Sequence, residues 1–237
     1  MEAYLYEFMG TALLILLGNG VVANVVLPQT YGHGGGWMVI TLGWGMAVFT
    51  GVFVSASASG GHLNPAVTLA LAYLGKFSWA LVPGYLLAQL AGAFTGAVLV
   101  WLMYKKHFEA ATDANAIRAC FCTSPAIKAT ANNVMSEVIG CFVLVFGVLS
   151  MAAPAASLGT LDALPAGLLV LAIGLALGGA TGYAINPARD LGPRIAHFIL
   201  PIKGKGPGGW GYALVPIFGP LLGSALAAAL YHVLHLP

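Results

Sequence analysis

Six stretches of this chain run for about twenty residues with almost no charge, which is the length an α-helix needs to cross a lipid bilayer. The first is MEAYLYEFMGTALLILL, and the others lie at about 37–58, 79–103, 134–153, 163–181 and 210–234. Hydrocarbon offers no water to a peptide group, so such a segment must close its own backbone hydrogen bonds as a helix. Charged residues make up 7% of the 237 and hydrophobic ones 59%, where soluble proteins carry about 25% charged. Mean hydropathy is +0.91. No sizeable soluble domain fits beside six spans. The formal net charge of +2 argues against a nucleic-acid partner. Glu2 and Glu7 stand at the N-terminus with no early Lys or Arg, so this stretch reads as a retained first helix, not a cleaved signal. Cys120, Cys122 and Cys141 are odd in number and lack companion ligands, so neither a disulfide framework, a metal site nor a cofactor is expected.

Asn-Pro-Ala occurs twice in this apolar background, at Asn64-Pro65-Ala66 and Asn186-Pro187-Ala188. Asn is a favoured N-cap and Pro suits the first helical position, so each triplet predicts a helix start. The segments that follow, about 65–74 and 187–197, are too short to cross. Ten residues rise about 15 Å, half of the hydrocarbon core. Two such half-helices meeting end to end make a seventh span. Broken helices at matching places in two halves point to a substrate path at the midplane.

The halves also resemble each other. YEFMG at 6–10 matches SEVIG at 136–140, SGGHLNPAV at 59–67 matches TGYAINPAR at 181–189, and YLLAQLAGAFTG at 85–96 matches YALVPIFGPLLG at 212–223. Each half then holds three spans and one half-helix. Three is odd, so the second half enters the membrane with the opposite orientation. The expected organisation is one domain, with repeat one at about 1–104, a polar connecting loop at about 105–130 and repeat two at about 131–237. Glu7 and Glu137 fall at equivalent places in the repeats, which favours a structural role for both: accepting hydrogen bonds from the backbone before each half-helix. The glycine pairs Gly92/Gly96 and Gly219/Gly223 predict close helix packing.

Two complete triplets, a Glu in the first helix of each half and Gly-x-x-x-Gly in the third make the whole chain resemble the major intrinsic proteins, the aquaporins and glycerol facilitators. The resemblance implies an all-α membrane protein of six transmembrane helices plus two re-entrant half-helices in an inverted repeat. NPARDLGPR at 186–194, with Asp190 after Arg189, and Pro216 followed by Ile217 look like the glycerol-conducting branch. By that resemblance Trp44, Gly174, Tyr183 and Arg189 form the selectivity filter. Gly174 stands where water-only members usually place His. The family further implies a homotetramer with one pore per protomer, a plasma or inner membrane location with both termini cytoplasmic, and glycerol and water as permeants.

The physics of such a pore can be argued from the residues. Each half-helix directs a positive dipole end, roughly half an elementary charge, at the channel centre. Asn64 and Asn186 add amide donors. Gly60, Gly61, His62 and Leu63, with Gly182, Tyr183, Ala184 and Ile185, are expected to be extended, with carbonyl oxygens along the path. Irregular backbone at that depth requires a wet cavity. The barrier to cations and protons follows from pore diameter and dipole ends, a mechanism for which aquaporins are themselves the standard example. Arg189 lies deep in apolar sequence, where a charge costs at least ~2.5 kcal/mol, and so marks function. Asp190 reads as a helix N-terminal anchor, and His232 and His235 as interface residues.

A coupled transporter also uses broken helices, but only Glu7, Glu137 and Arg189 are available for coupling, and the repeat accounts for the first two. No nucleophile or metal-binding motif supports an enzyme. Within the channel class the alternatives are a strict water channel, or one for other small neutral solutes such as urea or protonated acids. On orientation the charge rule runs against the family. Lys105, Lys106, Arg118, Lys128, Lys203 and Lys205 fall in loops that the resemblance places outside.

Overall fold

The uncharged stretches are helices. The computed structural model describes residues 1–151 and 156–234, so His235 lies outside the described residues. In chain order the helices are α1 (Glu2–Val26), α2 (Gly36–Ser59), α3 (Pro65–Tyr73), α4 (Val82–Met103), α5 (Lys105–Ala110), α6 (Ala114–Ala119), α7 (Thr130–Ser150), α8 (Leu164–Leu177), α9 (Pro187–Ile199) and α10 (Val215–Leu234). No strand occurs among the described residues. Among the described residues six helices are long and apolar enough to cross a membrane: α1, α2, α4, α7, α8 and α10, with 3₁₀ turns extending α4, α8 and α10 at their starts. This is the all-α membrane architecture expected from the sequence. The protein is a multi-pass membrane protein.

Glycines set how closely the helices approach. A Cβ at Gly92 or Gly96 of α4 would run into the Phe8 and Ala12 carbonyls of α1. On α10, a Cβ at Gly219 would meet Glu137 and one at Gly223 the Val138 carbonyl of α7. Where lipid tails are as apolar as leucine, such backbone contact is what drives helices together. The half-helices dock crosswise. α9 packs on α4 and α3 packs on α10, so each rests on the last helix of the other half. Gly192 lets α9 down onto α4 at Ala93 and Phe94, and Ser224 Oγ of α10 donates to the Ala66 carbonyl at 2.6 Å.

The connecting segment departs from a simple polar loop. It forms α5 and α6 and buries Phe108, Ile117 and Phe121. Asp113 caps α6 by accepting from the Asn115 amide at 2.8 Å. This segment descends far enough for the Phe121 carbonyl to accept a hydrogen bond from Asn19 Nδ2 of α1 at 3.2 Å.

Candidate pore

Asn64 and Asn186 each cap a helix and also tie the two halves together. Asn64 Oδ1 accepts from the Ala66 amide at 2.9 Å, and Asn186 Oδ1 from the amides of Ala188 and Arg189 at 3.0 and 3.1 Å. Pro65 and Pro187 occupy the first helical position, where their missing N–H costs nothing. The amide nitrogens then cross over. Asn64 Nδ2 donates to the Ile185 carbonyl at 2.9 Å and Asn186 Nδ2 to the Leu63 carbonyl at 2.8 Å. The N-terminal tips of α3 and α9 therefore face each other in direct contact. A carboxamide has two N–H groups, so each Asn keeps one that these bonds do not use.

The segments before the triplets differ from the extended backbone expected. Gly60, Gly61 and Leu63, and Gly182, Tyr183 and Ile185, have positive φ; the non-glycine values are 50° for Leu63, 38° for Tyr183 and 44° for Ile185. Such a conformation costs a side-chain-bearing residue of order 1–3 kcal/mol and survives only where the surroundings over-determine it. Here they do. The Leu63 amide donates to Glu7 Oε2 at 2.8 Å while its carbonyl is held by Asn186; the Ile185 amide donates to Glu137 Oε2 at 2.8 Å while its carbonyl is held by Asn64. Glu7 also accepts from the His62 amide, Ser59 Oγ and Gln89 Nε2 at 2.7–2.9 Å, and Glu137 from the Ala184 amide at 3.0 Å. Both carboxylates are fully buried. His62 turns its ring to Thr68 Oγ1 at 3.1 Å and packs against Phe77 and Tyr85.

One cavity reaches these tips, and a second adjoins it at three shared residues. One, of about 250 Å³, is lined by Gly60, Gly61, His62, Leu63, Asn64, Ala184, Ile185 and Asn186 together with apolar side chains such as Leu14, Val48 and Val52. The other, of about 490 Å³, is bounded by the connecting segment and by Gly178, Gly179 and Gly182. Trp44, Tyr183 and Arg189 line both and stand between them. The Arg189 guanidinium lies 4.0 Å from the centre of the Trp44 ring, a cation–π stack, and its Nη1 reaches the Phe121 carbonyl at 3.5 Å. Gly174 lines neither cavity. Its missing side chain makes room for Tyr183: a Cβ there would lie 2.9 Å from Tyr183 Cζ and 3.0 Å from its hydroxyl. That hydroxyl is buried and has no hydrogen-bond partner among the described residues.

Several neighbours of this constriction escaped the sequence reading. Gly18 of α1 makes room for the Trp44 ring, which a Cβ would strike. Trp37 donates from Nε1 to the Gly174 carbonyl at 3.0 Å and meets the Tyr183 ring edge-on. Asp190 caps nothing locally; it accepts from the amide and hydroxyl of Thr123 at 2.8 and 2.6 Å and forms a fork with Arg194 at 2.8 and 3.1 Å. Arg194 continues to the carbonyls of Thr123, Gly208 and Gly209. This buried pair clamps the connecting segment, and with it the Phe121 carbonyl, over α9. Apart from the Asp190–Arg194 fork, four residues apart on α9, these contacts are distant in sequence, and only the repeated Glu and Gly positions left a trace of such packing. Among the described residues no cluster of His, Cys, Asp or Glu could hold a metal ion, and the three cysteines are buried and unpaired.

Two half-helices meeting tip to tip, beside two cavities that share Trp44, Tyr183 and the cation Arg189, are the arrangement of a membrane channel. The chain belongs to the major intrinsic protein family, whose model matches residues 1–231. It is 53% identical over 232 residues to the probable glycerol uptake facilitator protein of Thermotoga maritima, covering 98% of this chain and 99% of that one. It is 54% identical over 227 residues to a glycerol uptake facilitator protein of Streptococcus pneumoniae, covering 95% and 96%. Among solved structures, the aquaglyceroporin from Plasmodium falciparum superimposes with a TM-score of 0.86 at 34% identity, covering 97% of this chain and 94% of that one.

Proposed function

We infer that this protein is a passive channel for glycerol, related small neutral solutes and water. The observation that carries the reading is that the rings of Trp44 and Tyr183 and the guanidinium of Arg189 line both of the two cavities. Two aromatic rings suit the carbon side of a polyol and Arg189 suits its hydroxyls. Glycerol facilitators matching nearly the full chain at 53–54% identity support the same substrate. In this reading the single domain holds two repeats around a connecting segment. The free N–H groups of Asn64 and Asn186 and the carbonyls of residues 60–63 and 182–185 not taken by those amides guide the solute. Glu7 and Glu137 hold that backbone in place, and Asp190 supports the site from the other side by holding Thr123 and Arg194. The protein works as a homotetramer in the plasma or inner membrane with both termini cytoplasmic. Exposed Leu168, Leu175, Phe218 and Leu222 supply apolar surface for lipid and neighbouring subunits. Its role is transport, not catalysis.

Reconstituted vesicles test the substrate directly. Vesicles in a glycerol gradient shrink and re-swell as glycerol enters, while those in a sorbitol gradient shrink and stay shrunken. Exclusion of glycerol with rapid water flow would reassign the protein as a strict water channel.

A further inference from the structure

The larger cavity carries a charge that passage of neutral solutes does not require. Besides Arg189 it is lined by Arg118, which belongs to α6 of the connecting segment, and no Asp or Glu lines it. Neither arginine has a carboxylate partner: among the described residues the ion pairs are Lys106–Glu109 and Arg194–Asp190. The acids nearby are committed elsewhere. Asp190 is spent on Arg194 and Thr123, and Asp113 on the cap of α6. Arg118 is also held in position. It is half-buried, its Nε donates to Ser124 Oγ at 3.1 Å and its Nη2 to Asn115 Oδ1 at 2.9 Å. Three of its five N–H groups remain. Fixed guanidinium groups in a partly enclosed cavity are suited to a carboxylate, whose two oxygens match their fork of donors.

We propose that this vestibule binds a small monocarboxylate between Arg118 and Arg189, and that the bound anion obstructs entry of neutral solutes from this side. The proposal rests on the channel reading above. The anion docks and goes no further, because beyond Arg189 the other cavity offers mainly apolar walls such as Leu14, Val48 and Val52. Moving an unpaired charge there is prohibitive. The protein would thus conduct neutral solutes while sensing the organic anions around it, with no moving part.

The test uses glycerol flux into vesicles containing the purified protein, with ionised glycolate or its neutral amide, glycolamide, present on both sides at matched osmolarity. Glycolate is expected to slow glycerol flux with half-effect in the millimolar range, and glycolamide to slow it far less. Arg118→Gln should need about tenfold more glycolate for the same effect, the loss of one charge-assisted contact, while Arg118→Lys keeps most of it. Flux without additive reports the channel independently, so a dead variant is distinguished from a relieved one. Equal slowing by glycolamide, no slowing by glycolate, or unchanged inhibition in an actively conducting Arg118→Gln would overturn the proposal.

Discussion

Replacing Glu7 with Gln changes one atom and tests how the strained backbone is held. The carboxylate takes four donors: Ser59 Oγ and the His62 amide on one oxygen, the Leu63 amide and Gln89 Nε2 on the other. A carboxamide accepts on one side only. If its nitrogen faces Leu63 and Gln89, Gln89 can turn its unpartnered Oε1 to meet it but gives up its 3.0 Å bond to Thr68, and the Leu63 amide is orphaned. If the nitrogen faces the other way, Ser59 can rotate to accept but the His62 amide is orphaned. Either way one buried backbone donor goes unmet, which costs about 1–3 kcal/mol. Where the Leu63 amide is the one lost, its positive φ also loses part of its restraint, worth about 1–3 kcal/mol more. Relief of a buried charge returns some of this, leaving roughly 1–4 kcal/mol of destabilisation. Thermal unfolding in detergent should show a lower midpoint for Glu7→Gln, and vesicles holding equal folded protein should show reduced flux of both glycerol and water. A variant with native melting and native flux would refute the hydrogen-bond argument. Native melting with altered proton flux would instead make Glu7 a proton carrier.

Other perturbations have equally definite outcomes. Gly18→Ala should push the Trp44 ring toward Arg189 and Tyr183, cutting glycerol flux about tenfold or more and water flux less; equal loss of both would contradict a size filter at Trp44. Asp190→Asn leaves Arg194 buried without its counter-charge, at a cost of about 3–5 kcal/mol by unfolding measurements, and a change below about 1 kcal/mol would deny the clamp its structural weight. Lys205 donates to the carbonyls of His197, Phe198 and Leu200 at the end of α9, so Lys205→Met should lower stability by about 1–2 kcal/mol while leaving solute selectivity unchanged. Gly223→Leu meets the Val138 carbonyl and should abolish folded protein on a sizing column, whereas Gly179→Leu, which meets open space, should not.

What could be read from the sequence follows the reach of the physics involved. The starts of α3 and α9 were legible because Asn capping and Pro at the first turn are local rules spanning three residues. The spans were legible because lipid imposes helix on any long apolar run. Glu7 and Glu137 stood out because the repeat shows them twice. The conformation between them was not legible. No local preference puts Leu63 or Ile185 at positive φ; that state exists because Glu7, Glu137 and two Asn amides, from far along the chain, grip these two residues from both ends. For the same reason Gly18, Trp37 and the Phe121 carbonyl gave no sequence signal: each matters only through what the fold brings against it.

Solute is expected to pass down its own gradient between Trp44, Tyr183 and Arg189, without ions or protons. Vesicles loaded with a pH-sensitive dye and containing the purified protein measure both sides of that claim together. Glycerol should equilibrate at one rate with or without a membrane potential or an imposed pH gradient, while the dye signal stays flat. Glycerol movement that needs a gradient, or a dye signal that follows it, would contradict the account.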